Sequence, residues 1–193
     1  MFQRHLCSME DKIEILALLE IYKNIYAEES EGVQPIVDFL NNFDEEELFD
    51  RKNFVGHVTA SAYIINPQKD SLLLLRHKFL NRWLQPGGHI DASDTSIFNA
   101  ALREAEEETG ISRSGLQLVS KNFFDVDSHT IPANQKKNEL EHVHHDISFL
   151  FLCDTTQINI DEAESTASKW VPFSELKDDE DYKGIILKIS LFS

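Results

Sequence analysis

Between Asp94 and Gly110 the chain reads DTSIFNAALREAEEETG. Phe98, Ala101, Leu102 and Ala105 recur at i, i+3, i+4 and i+7, the spacing of one apolar face of an α-helix. Asp94 and Thr95 are good N-cap residues, and Gly110 is a good terminator. So narrow an apolar stripe has to be buried on a partner, and its alanines suit close packing on a sheet.

The flanking sequence supplies that sheet. GHVTASAYIINP is rich in strand formers and closes on the Asn66-Pro67 turn, and SLLLLRH is apolar enough to be buried on both faces. LQLVSKNFFDVDSHTI is read as a third strand region. The polar stretch PANQKKNELEHV then leads to the apolar HDISFLFLCD, and DEAESTASKWVPFSEL is read as a strand running into a helical turn. DYKGIILKISLF closes the chain as a helix. At the other end, MEDKIEILALLEIYKNIYAEE places Ile13, Ile15, Leu16, Leu19, Ile21 and Tyr22 at mostly helical spacings. GVQPIVDFLNNF predicts a second helix with Pro35 in its first turn, and DEEELFDR a short third one. Strands dominate the middle and helices the ends, an α+β pattern with a mixed sheet. Residues 1–50 are expected to be a helical extension packed on a catalytic domain of residues 51–193.

Charge narrows the partners. A formal net charge of -16 disfavours polymeric nucleic acid and anionic membrane surfaces. A small polyanionic substrate fits only where a metal cation or a local basic cluster receives it. No apolar run is long enough to span a bilayer, and acidic residues interrupt the N-terminal apolar stretch, which reads as neither signal nor transit peptide. The expected location is the cytoplasm. Cys7 and Cys153, the two cysteines, support neither a disulfide framework nor a cysteine-ligated zinc site.

The helix carries a second pattern. Glu104, Glu107 and Glu108 fall at i, i+3 and i+4, so their carboxylates share a stripe and repel one another unless something positive lies between them. Acidic side chains late in a helix also oppose its macrodipole. A hard divalent cation such as Mg²⁺ takes oxygen ligands and completes its shell with substrate phosphates, whereas a solvated acidic face is the plain structural reading. Gly87-Gly88 lets backbone approach a ligand, and Arg103 can hold a carboxylate. Glu106 points elsewhere and is expected to be solvated.

With these flanks the segment resembles the signature of the Nudix hydrolase family, G-x5-E-x7-R-E-U-x-E-E-x-G-U. REAEEETGI, Arg103 to Ile111, matches the second half position by position, with Ala105 smaller than the usual aliphatic residue. In the first half Asp94 stands for the glutamate, with five residues between it and Gly88, and eight residues rather than seven lead on to Arg103. The likeness covers approximately Gly56 to Leu176 and includes WLQPGGH and WVPFSEL. In detail it is similar to a bacterial subgroup with a helical N-terminal extension. It implies a Nudix-like α/β/α sandwich and hydrolysis of the pyrophosphate bond of a nucleoside diphosphate derivative. It also implies Mg²⁺ or Mn²⁺ on Glu104, Glu107, Glu108 and the Gly88 carbonyl, with Arg103 orienting the cluster through Asp94. One glutamate would serve as general base. Arg76 and Arg82, flanking the glycine loop, are candidates to meet phosphate, against the plain reading of surface arginines.

In ELEHVHHD a strand would turn His142, His144 and Asp146 to one side. That spacing suits a transition metal, a base near neutral pH or the lining of a substrate pocket. The segment lies where many Nudix proteins place a further ligand or base, so His142 and His144 are assigned a substrate-site role. His89, His129 and Glu141 are weaker candidates. Trp83, Phe123 and Phe124 could stack on a base or be core. A Nudix-fold nucleotide-binding or sensor module without turnover is the alternative to an enzyme. The N-terminal helices would form either a homodimer interface or a lid.

Overall fold

The computed structural model describes residues 12–135 and 138–192. Cys7 and the first part of the predicted N-terminal helix lie outside the described residues. The elements run α1 (Lys12–Ile25), α2 (Gln34–Asn42), α3 (Glu45–Leu48), β1 (Gly56–Ile65), β2 (Ser71–His77), β3 (Trp83–Leu84), β4 (Gly87–His89) and α4 (Ile97–Thr109). They continue with β5 (Leu116–Leu118), β6 (Asp125–Ile131), β7 (His142–Cys153), β8 (Ser165–Pro172), α5 (Phe173–Leu176) and α6 (Lys183–Ser190). Eight strands form a mixed sheet in the order β3-β2-β1-β7-β5, with β4 on β1, β6 on β7 and β8 on β2. β2 pairs antiparallel with β1, β3 and β8, and β5 pairs antiparallel with β7. Among the described residues no helix is long and apolar enough to cross a membrane.

The described residues fall into two compact units. One draws on the described residues of 1–60, 88–100 and 126–147, the other on those of 61–87, 101–125 and 148–193. In the first, α1 buries Ile15, Leu19 and Tyr22, three of the residues its periodicity indicated, while Ile13 and Ile21 are exposed. α2 carries Pro35 in its first turn, where the missing N–H costs no helical bond. Lys12 Nζ donates to the Phe43 carbonyl at 2.9 Å, fastening the start of α1 to the end of α2.

The second unit packs Tyr63, Ile65, Leu72, Leu74, Phe124, Leu150, Val171, Leu176, Tyr182, Ile185 and Ile189 into one apolar core. β2 contributes through both its faces, since Ser71 to Leu75 are all buried, as its unbroken leucine run required. Phe123 and Phe124 are core, and Trp83 lies partly buried against it. Cys153 is buried at the end of β7, where its thiol donates to the Thr155 carbonyl at 2.9 Å and burial pushes its pKa up.

Three sequence expectations are revised. The third strand region is two strands, β5 and β6, because Ser120 to Phe124 turn away to bury the two phenylalanines. Helix α4 begins at Ile97 and its cap is Ser96, whose Oγ accepts from the Asn99 N–H at 3.0 Å, rather than Asp94 or Thr95. Its buried face is also rotated. Ile97, Ala100, Ala101 and Ala105 are fully buried, while Phe98 and Leu102 are only half-buried, so small side chains form the contact line. The helix ends at Gly110, in the left-handed region at φ 68°, as expected.

Candidate active site: a glutamate helix and a histidine cluster

Rotation of α4 changes the standing of its glutamates. Glu104 and Glu108 lie on the face that buries Ala101 and Ala105, and are themselves buried, whereas the Glu107 side chain is 57% exposed. Burial of a carboxylate disfavours its charged form. Desolvation pushes Glu108 up to about 8, opposed by a hydrogen bond from the Gly87 N–H and reinforced by the charges of Glu104, Glu164 and Asp161. The Gly87 N–H donates to Glu108 Oε1 at 2.8 Å. Desolvation likewise pushes Glu104 up to about 7, opposed by Arg103 and reinforced by Glu164 and Glu107.

Arg103 is the local counter-charge. Its Nη1 donates to Glu104 Oε1 at 2.9 Å and to Glu107 Oε2 at 3.0 Å, and its side chain is itself largely buried. One guanidinium nitrogen therefore bridges two of the three glutamates expected to act together. Glu106 is not merely solvated: Oε2 accepts from Arg113 Nε at 2.9 Å and Oε1 from the Arg113 N–H at 3.2 Å. Glu164 and Asp161, in the loop before β8, join the electrostatics of the site without any spacing signal in the sequence. Asp94 shapes the loop before α4, its Oδ2 accepting from the Asp91 N–H at 2.8 Å.

The donors on α4 are all oxygens, two of them buried, mutually repelling and raised toward neutrality. That chemistry fits a hard divalent cation, which repays the repulsion and the lost hydration together. Gly88 follows Gly87 directly in β4, so the two glycines lie in a short strand rather than in the turn their sequence suggested.

Arg76, half-buried, and Arg82, exposed, both belong to the second unit. Arg76 donates through Nε and Nη2 to Asn81 Oδ1 at 3.1 and 2.9 Å and lies 5.7 Å from the Trp83 ring centre. Arg82 pairs with Asp181 at 2.8 Å.

In the first unit the expected His142–His144 pair is part of a larger assembly. The two Nε2 atoms lie 3.2 Å apart. His57, at the start of β1, places its ring 5.0 Å from His142 and 4.7 Å from His144. His89 lies 5.0 Å from His57 and 5.3 Å from His144. Desolvation lowers His57, His89 to about 4 and His144 to about 2, and neighbouring histidines add to each shift. Burial thus favours the neutral form of His57, His89 and His144. Asp146 accepts from Thr59 Oγ1 at 2.8 Å, His129 Nδ1 pairs with Asp127 at 2.7 Å, and Glu141 is exposed. Sequence reasoning missed His57. Its signal was an imidazole in an otherwise wholly buried strand, a residue type needing a partner that only the fold could reveal.

A family model for the NUDIX domain matches residues 55–188. The chain therefore belongs to the Nudix family, and its class is that of hydrolases acting on pyrophosphate bonds. A probable DHNTP pyrophosphohydrolase of Lactococcus lactis subsp. cremoris (strain MG1363) is 28% identical over 144 residues, covering 74% of this chain and 81% of that protein. A Nudix hydrolase of Escherichia fergusonii, NudL, is 35% identical over 89 residues, 42% of this chain and 46% of its own length. The chain thus spans about half the length of that second relative. A C. elegans Ap4A hydrolase structure superposes with a TM-score of 0.51 at 19% identity, over 70% of this chain and 96% of that one, a likeness of fold. The expected α+β class, with a mixed sheet and helices before it, is the one observed.

Proposed function

We propose that the protein is a divalent-metal-dependent hydrolase that cleaves the pyrophosphate bond of a nucleoside diphosphate derivative. The observation that carries this reading is the burial of Glu104 and Glu108 on the packed face of α4, with Gly87 N–H fixed on Glu108. A purely structural helix gains nothing from two buried, mutually repelling carboxylates.

Glu104, Glu107, Glu108 and the Gly88 carbonyl would hold Mg²⁺ or Mn²⁺. Such an ion, when bound, polarises phosphoryl oxygens and makes water a better nucleophile. The chain's own groups do the positioning. The Gly87 N–H fixes the rotamer of Glu108, and Arg103 aligns Glu104 with Glu107. Glu107 faces solvent and is the proposed acceptor, through a carboxylate oxygen, of the proton from attacking water. Arg76 and Arg82 are the proposed phosphate contacts. Their present partners are exposed, and exposed pairs of this kind exchange at little cost. Residues 1–50 are proposed as an extension packed on a catalytic domain of 51–193; the stacking of Phe39 in α2 on His145 in β7, ring centres 4.5 Å apart, supports that packing.

The test is product release by the full chain with Mg²⁺ or Mn²⁺. The panel is nucleoside triphosphates, nucleotide sugars, ADP-ribose, dinucleoside polyphosphates, coenzyme A and, from the name of the L. lactis relative, DHNTP. Turnover of at least one compound should vanish on chelation and fall by about 100-fold or more in Glu104→Gln and Glu108→Gln, the scale of losing a group that stabilises transition-state charge. Undiminished turnover in both variants overturns the assignment. Ligand-induced thermal stabilisation with no turnover of any compound would instead make the protein a binding module.

A further inference from the structure

Among the described residues, one set of three side chains brings its ligand atoms within 4.8 Å of one another: His57, His142 and His144. We propose that these three histidines form a second metal site, for a late first-row divalent transition metal of the Zn²⁺ and Co²⁺ class, separate in ligand chemistry from the carboxylates of α4.

The hydrogen bonds around the rings prepare them for this. His142 Nδ1 lies 2.7 Å from the Leu140 carbonyl, which can only accept. The proton is therefore on Nδ1, and Nε2 presents a lone pair. His57 repeats the arrangement more loosely, with Nδ1 3.4 Å from the Asn53 carbonyl. An imidazole oriented through its other nitrogen by a backbone carbonyl is the usual outer shell of a metal-bound histidine. His57 Nε2 is then buried with no hydrogen-bond partner, a group that a folded protein rarely leaves unused.

The spacing agrees. A tetrahedral ion with metal–nitrogen bonds of about 2.0–2.1 Å sets its ligand nitrogens about 3.4 Å apart. His142 and His144 already hold their Nε2 atoms at 3.2 Å. With the neutral His142 tautomer that the Leu140 carbonyl selects, that contact is a hydrogen bond donated by His144 Nε2–H. Binding requires the His144 proton to move to Nδ1 and the His57 nitrogen to close from within 4.8 Å of the other two to about 3.4 Å, an adjustment of side chains near two strand starts. His89 stands beside both His57 and His144 as the nearest further imidazole. Three imidazoles and no carboxylate select Zn²⁺, Co²⁺ or Ni²⁺ over Mg²⁺. The two ligand-bearing strands, β1 and β7, begin at Gly56 and at His142, so the ion would pin together two strand starts far apart in sequence.

The experiment is a Co²⁺ titration of the chelator-treated full chain in excess Mg²⁺, followed by visible absorption, with Zn²⁺ as displacing ion. A single equivalent should give the intense absorption of a nitrogen-rich, low-coordinate site and raise the melting temperature. His142→Gln and His144→Gln should each weaken binding by about 100-fold or more, since even outer-shell losses cost 10–100-fold. Glu108→Gln should leave it unchanged. Since a substitution in a buried cluster can unfold the chain, proton NMR of the wild-type Co²⁺ complex reads the ligand set directly, expecting three paramagnetically shifted imidazoles. The proposal is overturned by the absence of saturable absorption at millimolar Co²⁺, by a band that survives both histidine substitutions, by a band lost in Glu108→Gln, or by fewer than three shifted imidazoles. The Mg²⁺-dependent hydrolysis is scored separately, so failure here leaves that reading standing.

Discussion

The backbone N–H of Gly87 donates to Glu108 Oε1 across 2.8 Å. This one bond fixes the start of β4 against the last turns of α4, and Ser61 leaves no room at the glycine. A Cβ at Gly87 would lie 2.1 Å from Ser61 Oγ and 2.8 Å from Ser61 Cα. Because the second of these is backbone, rotamer changes cannot relieve it. Gly87→Ala should therefore lose about 1–3 kcal/mol or more of stability, the range for overpacking, measurable as a lower urea midpoint. Gly184→Ala, where an added Cβ meets nothing within 4 Å in α6, should gain up to about 1 kcal/mol. Equal effects at the two positions would show that Gly87 is not packed against Ser61 in this way.

The raised carboxyls give stability a pH dependence of unusual sign. Glu108 has a folded-state pKa of about 8 against an ordinary 4.5. Between those values the folded chain binds more protons than the unfolded one, so its contribution to stability falls as pH rises. In chelated protein, Glu108→Gln should remove that loss. Its melting temperature relative to wild type should climb from pH 5 to pH 8. With saturating Mg²⁺ the order should invert, because a ligand bound only by the folded state stabilises the wild type more. Parallel melting curves across that pH range would refute the buried, proton-retaining Glu108.

The sequence made some of this legible and hid the rest for definable reasons. Local pattern found α4, its stop at Gly110, the doubly buried β2 and the Pro35 helix start, because each is set by residues within a few positions. It also singled out Glu104 and Glu108. It put α4's buried face on Phe98, Ala101, Leu102 and Ala105; the two alanines are buried, but Ile97 and Ala100 complete the packed line in place of the two larger side chains. His57 and Glu164 were invisible as site residues. Each meets its partners only through pairing of distant segments, and no spacing rule reaches across that separation.

Glu164 offers a direct test of the electrostatics. It raises the pKa of both Glu104 and Glu108, and it is exposed, so removing its charge should leave the fold intact. In chelated protein Glu164→Gln should lower both carboxyl pKa values, read by ¹³C NMR of labelled glutamate side chains. Mg²⁺ affinity should drop by a few-fold, the scale of one solvent-exposed charge. Unmoved carboxyl titrations would place Glu164 outside the site.

Lys188 tests a buried charge away from the α4 glutamates. It is 4% exposed on α6, and its ammonium pairs with the Asp125 carboxylate at the start of β6. Breaking such a pair from one side strands the other charge and costs about 3–5 kcal/mol, whereas replacing both by apolar groups of similar volume is often neutral. Lys188→Ala should accordingly be among the most destabilising single changes in the second unit. Lys188→Met combined with Asp125→Leu should recover most of the loss, with urea denaturation as the measurement. If the double variant is no more stable than Lys188→Ala, the cost lies in lost packing around the lysine stem and not in the stranded carboxylate. If Lys188→Ala is itself mild, water reaches the pair and the burial described here is not the operative state.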